Sequence, residues 1–104
     1  MIDIKFIQKT LNNISSVIAV LHENEAEFTI WPQEELEEWN KDYNVQEYLP
    51  GFIAIGSDGG LEMLTVELST GLVYAIPFIP MDSNEKIKVA DSLIKLVNSK
   101  NTKR

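Results

Sequence analysis

The chain has 104 residues, a net charge of −7, 44% hydrophobic residues and no cysteine. That length suits one domain, expected to span residues 1–104, and the apolar content is enough for a core. The missing thiols exclude disulfides, thiolate catalysis and cysteine-bound metal, and the acidic balance argues against partners rich in phosphate, both nucleic acid and anionic membrane.

Ile4, Ile7, Leu11, Ile14 and Ile18 recur at alternating spacings of three and four, which predicts an amphipathic helix over residues 3–14. The aliphatic run Val17 to Leu21 fits either an extension of that helix or a strand, and the strand reading is taken. It is the longest unbroken aliphatic run and falls far short of the ~20 residues of a membrane helix. With no basic stretch ahead of an apolar core near Met1, a cytoplasmic protein is expected. His22 to Glu27 is polar and suits a turn. Phe28 to Trp31 is β-favouring and ends at Pro32, so it reads as a strand hairpin-paired with 17–21.

Pro32 fits the first turn of a helix, and Glu34 and Glu35 favour its positive end, which predicts a helix over 33–42. Leu36, Trp39 and Tyr43 form its expected buried stripe, and Asn44 to Pro50 reads as a loop. Phe52 to Ile55 is a strand followed by the turn Gly56-Ser57-Asp58-Gly59-Gly60. Next, Leu64, Val66 and Leu68 alternate with Met63, Thr65 and Glu67, the mark of a half-buried strand. Ser69-Thr70-Gly71 turns the chain into the apolar run Leu72 to Ile79, completing a three-stranded antiparallel meander. Pro77, lacking an N–H, places its strand at a sheet edge or a bulge. Asp82 and Glu85 have capping-box spacing, and Ile87, Ala90, Leu93, Ile94 and Val97 predict a helix over 83–98 covering the sheet, ahead of a frayed basic tail at 101–104.

No pattern of catalytic nucleophile and base stands out. The single histidine, His22, reads as an exposed bystander, since a histidine mechanism or metal site needs oriented partners. Ser57 to Gly60 lacks the alternating acids of a calcium loop and the lysine of a phosphate loop. Asp58 there reads as a turn residue that bonds nearby amides, or as a group presented to a partner. The charge itself is concentrated: residues 23–47 hold nine carboxylates against Lys41 alone, a segment of −8. Glu34, Glu35, Glu37, Glu38 and Asp42 in it form a solvated helix face or a protein-binding face for a basic surface. Trp31 and Trp39 read as core, and as binding anchors where a ring stays exposed.

The order of Trp31-Pro32, Glu34-Glu35-Leu36, Asn40, Tyr43, Tyr48-Leu49-Pro50-Gly51-Phe52, Ile55 through Gly60, and Val73-Tyr74 before Pro77 resembles the SUKH superfamily of bacterial immunity proteins and fungal cell-wall glucan-synthesis regulators. The resemblance covers residues 28–98, about two-thirds of the chain. Met1 to Glu27 lacks the family's Leu-Pro-x-x-Tyr motif and Asn-Gly pair, so the chain resembles a short, N-terminally reduced member. The resemblance implies an α+β domain whose antiparallel sheet of about four to five strands is flanked by N-terminal, middle and C-terminal helices, with no enzymatic activity and no cofactor. It implies an immunity protein that neutralises a toxin, often a nuclease, by stoichiometric binding; edge strands and aliphatic stripes permit either a monomer or a homodimer. The fungal branch implies an alternative, a regulatory or scaffold adaptor. The −8 segment, with Asp58 and the tryptophans as anchors, is the expected contact with a basic toxin domain.

Overall fold

Asp3 opens the first helix, its carboxylate accepting the Phe6 N–H at 2.9 Å, an ordinary N-cap. In the computed structural model, which describes residues 1–98, α1 spans Ile4–Thr10 and buries Ile7, with Leu11 buried just beyond. It is shorter than the apolar spacing predicts, because past Leu11 the bonds tighten to i→i−3, from the Asn12 N–H to Lys9 and from the Ile14 N–H to Leu11, and Asn13 adopts a left-handed φ of 67°.

Strands β1 (Ser16–Leu21) and β2 (Asn24–Ile30) form the expected hairpin. Its turn is only His22 and Glu23, at φ 52° and 68°, the backbone twist that a two-residue hairpin turn requires. Residues 24–27, expected to be turn, are strand instead. Glu25 and Glu27 point to solvent at every second position, so their charge does not oppose the extended backbone.

β3 (Phe52–Ser57), β4 (Glu62–Glu67) and β5 (Val73–Pro77) form the expected meander, and β6 (Ile87–Ala90) follows. The six strands make one antiparallel sheet in sequence order, larger than the four to five expected. It curls like a barrel, bringing β1 and β6 near each other, and α4 (Leu93–Val97) packs over both edges and against α1. Curling explains why β4, expected to be half-buried, buries Met63, Leu64, Thr65 and Val66 together.

The largest correction lies at the C-terminal end. In place of a helix over 83–98 there are a 3₁₀ turn (Ser83–Glu85), β6 and the short α4. Asp82 does cap, but it caps the 3₁₀ turn, accepting the Asn84 N–H at 2.9 Å. Ile87 and Val89 alternate with Lys88, so this stretch also carries a strand pattern. It wins because extended backbone pairs the free side of β5. Pro77 accordingly sits on an internal strand, not an edge, but past Ala75, the last β5 residue paired with β6. The tail at 101–104 lies outside the described residues.

Between β2 and β3 the chain forms a 3₁₀ turn at Gln33–Glu35, then α2 (Leu36–Asp42) and α3 (Val45–Tyr48). The second of these replaces the expected loop at 44–50, with Asn44 at φ 56° joining the two helices. One buried polar residue holds this excursion to the sheet. Asn40 Nδ2 donates to the Ala54 carbonyl at 2.8 Å and to the Leu36 carbonyl at 2.9 Å, and its Oδ1 accepts the Ala54 N–H at 2.8 Å.

The need for that amide follows from β2. The strand pairs with β3 only through Thr29 and Ile30, plus one bond from the Trp31 N–H to the Ile55 carbonyl. Pro32 then has no donor with which to continue. Asn40 supplies the missing donor and acceptor, acting as one more residue of the departing strand. Close approach of β2 and β3 also demands Gly56, where a Cβ would lie 2.0 Å from the Thr29 carbonyl oxygen.

Asn40→Ala leaves the Ala54 N–H and C=O buried and unpaired, and urea unfolding should show a loss of about 2–4 kcal/mol. Gly56→Ala drives a methyl into backbone and should lose about 3 kcal/mol in the same measurement.

Candidate partner-binding surface

Because Asn40 faces the sheet, the residues beside it on α2 face outward at an angle. Trp39 stacks on Trp31 with ring centroids 4.9 Å apart and planes 17° from parallel. Tyr43 lies 5.8 Å from Trp39 and 6.1 Å from Trp31, each at 14°. Phe78, just past β5, meets Tyr43 at 5.0 Å. Trp31 is buried as expected, Trp39 is only partly covered, and Tyr43, expected to be buried with Leu36, is 37% exposed. The helix stripe that reaches the core is Leu36 and Asn40.

The acidic candidates do not form a single patch. Glu35, Glu38 and Asp42 line one depression with Trp39, whose Nε1–H donates to Glu35 at 3.2 Å. Glu37 faces a different recess with Ile4, Lys41 and Gln46, and Glu34 lies beside Asn12, Ser15 and Gln33. All five are exposed, and among the described residues none makes an ion pair. Asp42 closes α2, where the helix dipole disfavours a negative charge.

Asp58 performs the turn chemistry expected of it. Its Oδ1 accepts the N–H groups of Gly60 at 2.8 Å and Glu62 at 3.2 Å, and Gly59 takes a φ of 81°. Nearby, partial burial and the Asp58 charge raise the Glu62 carboxyl above the ordinary glutamate range, while His22 pulls it down. His22 itself is exposed in the hairpin turn.

Between the acidic edge of α2 and this turn lies an apolar recess of about 420 Å³, lined by Asp42, Tyr43, Tyr48, Phe78, Ile79, Pro80 and Met81. A second recess adjoins it across Tyr43, Phe78 and Ile79 and is lined by Leu61, Ser57 and the glycines of the β3–β4 turn. The Phe78 N–H donates to the Leu61 carbonyl at 2.9 Å, which holds these side chains together at the open end of the β4–β5 hairpin. Ile79 is 91% exposed, Leu61 81% and Tyr48 57%. Covering an isoleucine or leucine side chain contributes about 1.5–3 kcal/mol, so this surface has most to gain from a partner.

Sequence reasoning missed Tyr48, Leu61, Phe78 and Ile79 as surface groups. One signal was available, since Ile79 stands between Pro77 and Pro80, where ladder bonding must fail. No protein-family model and no curated protein matches this chain. Among the described residues no group of three histidine or carboxylate side chains is placed to hold a metal ion, and no helix is long and apolar enough to cross a membrane.

A carboxyl whose folded pKa is raised opposes folding at neutral pH. Its penalty is absent below the unfolded value, develops between the two values and is complete above the folded one. Glu62→Gln should therefore raise the melting temperature at pH 7, with the difference closing as the pH falls below the ordinary glutamate value of about 4.3. Thermal unfolding across pH 3–8 measures it.

Proposed function

We propose that this chain is a non-enzymatic binding domain, an immunity protein of the SUKH type that neutralises a toxin by forming a one-to-one complex. The observation that carries the reading is the exposed apolar recess beside carboxylates (Glu35, Glu38, Asp42) that make no ion pair among the described residues. Apolar contact supplies affinity at such a surface, and the charges select a basic partner and speed encounter. A nuclease keeps its substrate in a basic cleft, so a toxin of that kind offers the complementary field, and covering the cleft blocks its substrate. The resemblance of residues 28–98 to the SUKH superfamily, read from the sequence, favours the same reading.

Capture with tagged chain from the cells that make it, at low and high salt, should yield one salt-sensitive basic partner. An equimolar amount of the chain should abolish that partner's activity. Several unrelated host proteins, none of them inhibited, would favour the adaptor reading.

With the purified partner, the triple variant Glu35→Lys, Glu38→Lys and Asp42→Lys should slow association about tenfold or more at low salt and change dissociation little. Stopped-flow mixing over a salt series measures it. An unchanged association rate would place the contact elsewhere.

A further inference from the structure

Steering by charge and anchoring by apolar contact make different demands on a partner, and the recess specifies the second. We propose that the recess around Tyr43, Phe78 and Ile79 receives a large apolar side chain carried on an arginine-rich segment, with a neighbouring guanidinium stacked on the exposed part of Trp39. This inference rests on the proposed binding function and names the chemistry of what is bound.

Three features favour that occupant. The exposed apolar side chains are clustered, not scattered: Ile79 at 91% and Tyr48 at 57% exposure line the recess with Phe78 and Met81, and Leu61 at 81% lines an adjoining one that shares Tyr43, Phe78 and Ile79. Apolar clusters on a surface mark binding sites. Next, Asp42 belongs both to the lining of the recess and to the acidic depression that it shares with Glu35 and Glu38 beside Trp39. The complementary segment is therefore basic, and a second copy of this acidic face, a nucleic acid and an anionic membrane are all disfavoured. Last, Trp39 and Tyr43 present nearly parallel rings, and Glu35, Glu38 and Asp42 surround Trp39. A planar guanidinium stacks on an aromatic face while its N–H groups pair with carboxylates, which the compact ammonium of lysine does less well.

The test is a titration of the full chain, followed by amide NMR, with four synthetic hexapeptides. The probe is acetyl-Arg-Trp-Arg-Arg-Leu-Arg-amide. Its controls replace the Trp and Leu by Ser, all Arg by Lys, or all Arg by Glu. The probe should produce saturable shifts at Tyr43, Tyr48, Leu61, Phe78 and Ile79. The serine and lysine controls should bind about tenfold more weakly, and the glutamate control not at all.

Ile79→Asp removes apolar surface while adding negative charge. Ile79 is almost wholly exposed, so the variant should fold normally and still bind the probe about tenfold more weakly. Equal binding of the serine control, equal binding by the Ile79→Asp variant, or shifts confined to other surfaces would overturn the inference. Equal binding of the lysine control would remove the guanidinium contact. If capture of a basic toxin depends on Glu35, Glu38 and Asp42 but not on Ile79, the binding function stands and the anchor proposed for it falls.

Discussion

The Asn40 amide is the constraint on which the rest of this structure depends. β2 must leave β3 at Pro32, because proline cannot donate the next ladder bond, and the departure exposes the Ala54 backbone in the middle of the sheet. One side chain on α2 satisfies both Ala54 groups and one carbonyl of its own helix. A buried amide with this many bonds fixes position and rotation together, whereas apolar packing alone leaves a short helix free to turn.

Fixing the rotation of α2 decides which side chains meet the solvent. With Leu36 and Asn40 turned inward, Trp39 rests on Trp31, Tyr43 reaches Phe78, and Glu35, Glu38 and Asp42 stand along the outer edge. The opposite wall comes from the sheet, where the Phe78–Leu61 backbone bond extends the β4–β5 hairpin past its regular end. The recess is thus a seam between the helical excursion and the hairpin. A seven-residue helix and a strand end would each be an ordinary surface alone, and only their relative placement makes the recess.

The meander over 52–77, the first two helices and the apolar halves of the β1–β2 hairpin were legible in the sequence because each rests on local chemistry: alternation, glycine turns, β-favouring runs and proline at a helix start; the acidic half of β2 was not. The C-terminal part was not. Ile87 to Val97 carries both helical and strand patterns, and the choice between them depends on the free side of β5, which no local window contains. For the same reason the carboxylates of 34–42 read as one face, although the 3₁₀ start of the helix and its lock at Asn40 send Glu34 and Glu37 away from Glu35, Glu38 and Asp42. The turn role of Asp58 was legible, since the spacing to Gly60 is enough to define it. The recess was hidden because Leu61 and Ile79 look like ordinary strand residues until the ladder is known to stop beside them.

The proposed function requires a basic protein to bind across this seam. It is tested most directly by placing a photo-crosslinking amino acid at position 79, with position 94 on α4 as a comparison of similar hydrophobicity, in the cells that make the protein. The account predicts one predominant adduct from position 79, to a basic protein whose own activity the unmodified chain blocks at equal stoichiometry, and no such adduct from position 94. The same adducts from both positions, or no adduct from position 79 while the partner is still captured, would contradict it.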